Sequence, residues 1–441
     1  MRDLVFAGVF ALLIPVCLVR PWVGVLAWSW IAFMNPHRLT WGFATTLPVA
    51  MIVAVATLVG MLITRDRKSI PGTPEMAILA LMVVDYTATT LFAMVPDAAW
   101  AKWNQVMKII LMTFVTTMLI YGRERVRALL LTITLSIAFF GAKGGFFTLR
   151  SGGVHAVRGP DSSFIEDNNS LGLAFVMVLP VLFALAREEK RKWLRLGLFA
   201  VAILTGLSAI FTYSRGALLG MATVVLFMLL QTKRRFLAVF VFAASVGFLY
   251  WFTPQELYDR AETIQTYEQD RSAMQRMQAW SVAWNVAMQR PLTGGGFWIE
   301  YLPDDVWLSY ANRAFDEFGN VARAAHSIYL QVLGDHGFIG LALFLALIVF
   351  TLRSLQRLKT LAKQTGPGHD WLGAYANGMQ IGLLGYLVSG AFLSLGYFDL
   401  FYAYVALTAI LIREAATLRS HATQAVLTHP VLSPPSSPRR P

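Results

Sequence analysis

Long apolar runs recur along the chain from Leu4 to Ile412, and most are close to the length that a bilayer-spanning helix needs, about 20 residues. Helices are the expected spanning elements because each satisfies its own backbone polar groups in lipid. The pattern predicts spans at 44–63, 75–95, 104–121, 126–145, 168–186, 195–212, 215–231, 235–252, 325–352, 375–395 and 398–413. Two shorter runs, 4–19 and 21–34, form either a shallow hairpin or two short tilted spans. The predicted fold is an all-α polytopic integral membrane protein with about 12 transmembrane helices.

The connectors between these runs alternate between basic clusters and stretches with few basic residues. The basic clusters lie at 65–68, 123–127, 190–192, 233–235 and 353–363. If every run spans, all of these clusters fall on one side, which the positive-inside rule assigns to the cytoplasm. The side of Met1 stays open, since it depends on whether the first two runs both span.

One connector is much longer than the others, and it divides the chain. We predict an N-terminal transmembrane bundle (1–252), a periplasmic loop domain with interfacial helices (253–324), C-terminal transmembrane helices (325–419) and a disordered cytoplasmic tail (420–441). The end of the tail is rich in Ser and Pro, a composition typical of disorder.

Composition excludes several other classes of protein. The chain is 56% hydrophobic and only 14% charged, whereas a soluble domain carries roughly 25% charged residues. The net charge of +12 sits beside the apolar runs, so we attribute it to membrane topology rather than to nucleic-acid binding. Cys17 is the only cysteine, which rules out an intrachain disulfide. The sequence contains neither a Walker-type phosphate loop nor a metal-ligand cluster, and we expect no cofactor and no metal.

The long connector contains an apolar stripe at helical spacing. Met277, Trp280, Trp284 and Met288 recur every three or four residues, which predicts a helix at the membrane interface. Arg276 lies one turn before Trp280. It either extends to lipid headgroups or binds an anionic substrate group.

The end of the same connector offers two further features. Gly294-Gly295-Gly296 either forms a tight turn or presents an anion-binding nest of backbone N–H groups. His326 opens the next apolar run, where the helix dipole and Arg323 both favour a neutral imidazole. It acts either as a general base or as an interfacial capping residue.

Two other regions predicted on the outer side carry polar chemistry. The short turn before Arg215 places a guanidinium where a lipid-linked phosphate could meet it. The connector 146–167 mixes arginines, amides and carboxylates, and Lys143 precedes it inside an apolar run. Lys143 and Asp85 are the two ionisable residues singled out within predicted spans. Lys143 could instead extend to the outer interface, and the threonines next to Asp85 could satisfy its carboxylate.

These residues resemble the O-antigen ligase (WaaL) family, within the group of O-antigen ligases and polymerases (Wzy-like). The shared family domain corresponds to about 200–350, and the resemblance covers most of the chain. Its motifs are Tyr213-Ser214-Arg215-Gly216, Arg276 before Trp280 and Trp284, Pro291 with Gly294-Gly295-Gly296, His326-Ser327-Ile328-Tyr329-Leu330 and Gly337-Phe338-Ile339-Gly340. The stretches 34–42 and 152–169 look like a ligase subgroup. Ser327 replaces the asparagine that often follows the histidine in the family.

The resemblance implies a GT-C-like, metal-independent and inverting glycosyltransferase in the bacterial inner membrane, acting in lipopolysaccharide biosynthesis. Such enzymes transfer polysaccharide from undecaprenyl pyrophosphate to a sugar hydroxyl of lipid A-core on the periplasmic face. By this resemblance Arg215 and Arg276 bind the pyrophosphate, and His326 deprotonates or orients the acceptor hydroxyl. Further predicted substrate-binding residues are Lys143, Arg158, Asn168, Tyr213 and Trp280.

Other functions remain open at this point. An O-antigen polymerase or a protein O-oligosaccharyltransferase would use the same class of donor. A transporter or flippase is a different class, although transporters tend to place ionisable groups near the membrane midplane, where this sequence shows few.

Overall fold

The computed structural model describes residues 1–161, 163–231, 236, 271–312, 321–364 and 369–428, with side chains except at 271, 272 and 421–428. This part of the chain is helical, without a strand. The helices are α1 (Arg2–Val19), α2 (Pro21–Met34), α3 (Val49–Ile63), α4 (Pro74–Leu91), α5 (Pro96–Leu119), α6 (Gly122–Ser151), α7 (Asn168–Glu188), α8 (Lys192–Ile210), α9 (Arg215–Leu230), α10 (Arg271–Gln289), α11 (Asp304–Ser309), α12 (Ile328–Gln364), α13 (Asp370–Gly390) and α14 (Asp399–Thr428). Three 3₁₀ turns, Pro36–Leu39, Phe43–Thr46 and Ile299–Tyr301, lie in connectors.

Every predicted span within the described residues coincides with a helix, whereas the span 235–252 and the basic cluster 233–235 lie outside them. Six described helices are long and apolar enough to cross a membrane: α1, α6, α7, α8, α12 and the first part of α14. Three shorter apolar helices, α2, α3 and α9, accompany them. The chain is thus a helical membrane protein, while the count of about 12 spans stays a prediction.

The last helix corrects one predicted boundary. α14 continues past Arg419 to Thr428, so the start of the predicted tail is helical rather than disordered. The segment 414–428 contains four alanines and two leucines, which favour helix without needing an apolar surface. Residues 429–441 lie outside the described part.

The basic connectors meet on one face of the bundle, called here the basic face. Arg123 pairs with Glu188 at 3.3 Å and Arg125 pairs with Asp66 at 3.5 Å. The guanidinium of Arg413 lies 3.7 Å from the ring centroid of Tyr121. These contacts join the start of α6 to the ends of α3 and α7, and the residue before α6 to the middle of α14.

The remaining connectors meet on the opposite face, called here the site face. The Met94 N–H donates to the Gly295 carbonyl at 2.7 Å, and the Val157 N–H donates to the Phe211 carbonyl at 3.0 Å. The Gly396 N–H donates to Gln331 Oε1 at 3.0 Å. Five separate connectors are therefore bonded to residues of other elements on this face.

The first two helices each run between these faces. Trp22, at the turn between α1 and α2, lies under the guanidinium of Arg125 on the basic face, at 5.0 Å. At the other end, Arg2 stacks over Trp41 at 4.2 Å, and the same cavity contains Arg38 and Lys143. Met1 consequently lies on the site face, whereas its side of the membrane stays a prediction.

α7 forms the centre of the bundle. Its side chains are buried from Ser170 to Leu182 without interruption, as expected for a helix that is apolar on all sides. Glycines allow α13 to approach it closely. A Cβ added at Gly382 would lie 2.4 Å from the Met177 carbonyl oxygen, and one added at Gly378 would lie 2.9 Å from that of Pro180. The middle of α7 is thereby packed directly against the backbone of α13.

α12 is broken at Gly337, whose φ of 65° and ψ of −161° are not helical. The break makes room for the turn 291–296. The Phe338 N–H donates to the Pro291 carbonyl at 2.9 Å, and a Cβ at Gly337 would lie 2.5 Å from that oxygen.

We expect Gly337→Ala to lower the free energy of unfolding by at least about 1–3 kcal/mol, because this backbone conformation is essentially restricted to glycine. Thermal unfolding in detergent measures the change. Gly72→Ala, at an open position without positive φ, is the control. Equal stability of the two variants would contradict this account of the break.

Candidate active site

His326 lies on the site face, two residues before α12, in a left-handed conformation with φ of 48°. Its backbone N–H donates to Ser394 Oγ at 2.7 Å. The conformation is uncommon outside glycine, and a specific bond of this kind offsets its strain. The imidazole is held at the exposed start of a long helix rather than within it.

α10 supplies an arginine beside this histidine. The packed face of α10 consists of small residues, Ala279, Val282, Ala283 and Val286, which form a compact core with Trp307. Trp280 Nε1 donates to the carbonyl of Ala325 at 2.7 Å, directly before His326. Arg276, one turn earlier on α10, acts electrostatically on the histidine.

The predicted interfacial stripe therefore corresponds to the outward side of α10. Trp284 and Met288 are exposed at 49% and 57%. Membrane contact stays a prediction for them, while the helix itself is confirmed.

The charges around His326 favour its neutral form. Burial among neighbouring groups lowers the pKa of the imidazole most, and Arg276 and Arg323 lower it further. Asp167 raises the pKa, more weakly than Arg276 lowers it but more strongly than Arg323 does. The sequence predicts the effect of Arg323, although it assigns part of the shift to the helix dipole. A neutral imidazole at pH 7 is available to accept a proton.

The charges of Arg323 and Asp167 should shift the pKa of His326 in opposite directions. Arg323→Gln removes a positive charge and should raise the imidazole pKa, whereas Asp167→Asn removes a negative charge and should lower it. Asparagine still caps α7, so the local fold is kept. NMR titration of the imidazole ring protons measures both. Shifts in the same direction in both variants would contradict the placement of these charges.

The turn that carries Arg215 is held by the start of α7. Asn168 Nδ2 donates to the Thr212 carbonyl at 2.7 Å. Its neighbour Asp167 caps α7, accepting from the N–H groups of Asn169 and Ser170 at 2.9 and 3.0 Å. Asp167 is also the carboxylate that acts on His326, so one helix start links the Arg215 turn with the histidine.

Arg215 begins α9, which Ser214 caps by accepting from the Ala217 N–H at 3.2 Å. Its side chain is exposed. Behind it, Tyr213 adopts φ of 56°, and its hydroxyl donates to the Gly153 carbonyl. The turn is thus fixed on two sides while the guanidinium extends from the site face.

The predicted site residues fall into three groups. Arg276 and His326 are neighbours, and Arg215 lies on the adjoining turn. Asn168, Tyr213 and Trp280 use their polar atoms to hold backbone carbonyls, so their role in binding substrate stays a prediction. Arg158 is exposed on the connector 152–167, and Lys143 lines a different cavity.

The glycine turn is not an anion-binding nest. The N–H groups of Gly295 and Gly296 donate to the carbonyls of Gly334 and Asp335, both at 2.8 Å, and the Gly294 N–H donates to the Arg290 carbonyl at 2.8 Å. All three N–H groups are therefore used inside the protein. Of the two predicted alternatives for Gly294-Gly295-Gly296, the tight turn is therefore confirmed.

A buried polar cluster behind the site was missed by the sequence analysis. Asp335 Oδ2 accepts from the Tyr397 hydroxyl at 2.7 Å. His336 Nδ1 lies 2.6 Å from Thr89 Oγ1, and its ring stacks on Tyr86 with centroids 4.0 Å apart. Asp335 and His336 are fully buried. The signal was available, since adjacent ionisable residues inside the apolar run 325–352 are unusual.

Asp85 also differs from its prediction. Its Oδ2 has no hydrogen-bond partner among the described residues. The neighbouring Thr87 donates to the Val83 carbonyl at 2.6 Å, and Thr89 is used by His336. The prediction that neighbouring threonines donate hydrogen bonds to the Asp85 carboxylate is therefore wrong for its Oδ2 atom.

Family models match two regions of the chain. A model described as O-Antigen ligase matches residues 200–345, which contain Arg215, Arg276 and His326. A model described as a family of unknown function, DUF5935, matches residues 1–190. No curated protein matches the chain. Residues 200–345, which carry α9, α10 and the start of α12, thus match the O-antigen ligase domain, and this match supports a ligase- or polymerase-type function in lipopolysaccharide-related glycan transfer.

Proposed function

We propose that this protein is an O-antigen ligase that transfers polysaccharide from undecaprenyl pyrophosphate to a sugar hydroxyl of lipid A-core. The reaction takes place on the periplasmic side of the inner membrane. The observation that carries the proposal is His326, with a lowered pKa, beside Arg276 within the matched domain. The orientation follows from the basic face, which the positive-inside rule assigns to the cytoplasm.

The reaction separates charge in a way that suits these residues. The acceptor hydroxyl attacks the anomeric carbon of the donor sugar, a new C–O bond forms, and the C–O bond to the pyrophosphate breaks with inversion. The bonding electrons leave with the lipid pyrophosphate. His326 takes the hydroxyl proton, while the guanidinium groups of Arg215 and Arg276 stabilise the departing pyrophosphate.

Arginine is suited to this task because its planar fork binds phosphate oxygens with two parallel hydrogen bonds. Arg215 and Arg276 lie on different elements of the site face, and a pyrophosphate between them would be held from both sides. The donor is already activated, so the chemistry needs neither nucleotide nor ATP.

Deletion of the encoding gene tests the proposal against its nearest rivals. We expect the deletion strain to make bare lipid A-core and to accumulate long-chain lipid-linked polysaccharide. A single attached repeat would instead indicate a polymerase. Unchanged lipopolysaccharide with a loss of protein glycosylation would indicate a protein O-oligosaccharyltransferase.

We also predict that transfer does not depend on a metal. Excess EDTA should leave the rate of purified protein unchanged within about twofold, because arginines rather than a cation neutralise the pyrophosphate. The rate is measured before and after dialysis against chelator. Loss of activity that a divalent ion restores would refute the metal-independent mechanism.

A further inference from the structure

A large cavity lies beside the N-terminal helices, and its wall contains none of Arg215, Arg276 and His326. Its volume is about 940 Å³, and it opens between α1, the segment 36–41, α6 and the segment 159–161. The charged residues of its wall are Arg2, Arg38, Lys143 and Asp161. Three cations thus face one carboxylate, and none of the three forms an ion pair with the described residues.

The mouth of this cavity is fixed rather than loosely formed. Asp3 Oδ1 accepts from the Gly42 and Ala44 N–H groups, at 2.9 and 3.1 Å, and so ties the start of α1 to the connector. The Arg2 guanidinium stacks over the Trp41 ring at 4.2 Å. The start of α1 and the Arg2 guanidinium therefore have defined positions at the opening.

An apolar groove continues from the cavity along the bundle. The groove has a volume of about 520 Å³ and is lined by α1, α2 and α6, with Leu13 and Leu135 in its wall. It shares Val9, Trp30 and Phe139 with the cavity, so the two spaces adjoin. A cationic mouth on an apolar groove fits an amphiphile with an anionic head and hydrocarbon chains.

We propose that this cavity and groove bind the acceptor through its lipid A end, with the phosphates at Arg2, Arg38 and Lys143 and acyl chains along α1, α2 and α6. The inference rests on the proposed function. A transfer between two lipid-linked molecules requires a place for each, and the donor pyrophosphate is already assigned to Arg215 and Arg276. Several separated cations also match a head with more than one phosphate better than a single phosphodiester.

The connection with the active site supports the acceptor as the occupant. Gly159 and Asp161, in the cavity wall, belong to the segment that ends at Asp167. The Gly159 N–H donates to the Glu166 carbonyl at 3.1 Å, which closes this segment into a compact loop. Asp167 acts on His326, so a sugar chain attached at the cavity could extend along the loop to the proton acceptor.

Binding to purified protein tests the inference without requiring transfer. Native mass spectrometry in detergent compares diphosphoryl lipid A, phosphatidylglycerol and undecaprenyl pyrophosphate. The double variant Arg38→Gln with Lys143→Met should bind lipid A about tenfold more weakly, since charge-assisted hydrogen bonds are lost. Its affinity for undecaprenyl pyrophosphate should be unchanged. Arg65→Gln, an exposed arginine at the basic face, is the matched control.

Three results would overturn the inference. Unchanged lipid A binding by the double variant would show that lipid A does not bind at this cavity. An equal loss of phosphatidylglycerol binding would make it an ordinary phospholipid site, and a loss of undecaprenyl pyrophosphate binding would make it a donor site. Leu135→Trp, which narrows the groove without touching the cations, should also weaken lipid A binding. Wild-type affinity in that variant contradicts the placement of the acyl chains.

Kinetics separates this inference from the proposed function. In a transfer assay the double variant should raise KM for lipid A-core about tenfold while leaving kcat and the donor KM unchanged. Absence of transfer by folded wild-type protein refutes the proposed function, whereas the binding measurement still decides whether lipid A occupies the cavity. Transfer with an unchanged acceptor KM refutes only the acceptor cavity.

Discussion

His326→Ala is expected to lower kcat for glycan transfer by about 100- to 10,000-fold, the usual contribution of a positioned general base. The reason is that the His326 imidazole is the group that takes the hydroxyl proton in the proposed reaction, and alanine has no side chain that could replace it. Alanine tolerates the left-handed backbone of His326 poorly, so the loss has to be separated from a local change of fold. Single-turnover rates with saturating donor and acceptor measure the chemical step.

His326→Asn provides that separation. Asparagine adopts φ near the observed 48° more readily than most residues, and the N–H bond to Ser394 is made by the backbone. The Asn variant should fold like the wild type and still lose activity to a similar extent. His369→Ala, on a distant connector, is the matched histidine control. Near-normal rates for His326→Asn would show that the imidazole does not take the proton.

Arg215→Ala and Arg276→Ala are each expected to lower kcat about 100- to 1,000-fold, comparable to the removal of one donor from a preorganised charge-stabilising site. Lysine in place of either arginine should recover only part of the rate, because it keeps the charge but loses the planar fork. Both variants are measured with the same saturating substrates as the wild type.

Arg150→Ala supplies the control for the arginine variants, since Arg150 is an exposed arginine at the end of α6 on the same face. It should leave the rate unchanged. Full activity in both Arg215→Ala and Arg276→Ala would remove the pyrophosphate role. A rise in KM for the acceptor alone would reassign these arginines to the acceptor sugar.

The positions of the helices could be predicted from the sequence because apolar runs and basic connectors are local signals. α4, α7, α8 and α9 begin and end within about four residues of the predicted runs, whereas α5 begins well before its run and α6 continues well past the end of its run. The end of α14 could not be read in this way, since a polar segment rich in helix formers carries no apolar signal.

The site could be predicted only in part. The resemblance names Arg215, Arg276 and His326 but does not show how they are held. The Ser394 bond and the action of Asp167 on His326 join residues far apart in sequence, so no local pattern indicates them.

The buried ionisable residues of α12 were visible in the sequence, but their partners were not. Asp335 and His336 are visible within an apolar run, yet their partners Tyr397 and Thr89 come from other helices. Glu300, on a neighbouring turn, belongs to the same surroundings, and burial raises the pKa of its carboxyl while the Lys102 cation lowers it. Such clusters become intelligible only once the helices are packed.

Incubation of the purified protein with undecaprenyl-pyrophosphate glycan and lipid A-core tests the central claim most directly. The product is resolved on a gel, with His326→Asn beside the wild type. We expect joined lipopolysaccharide from the wild type and none from the variant. Folded wild-type protein that joins no glycan to lipid A-core would contradict it, as would equal product from both proteins.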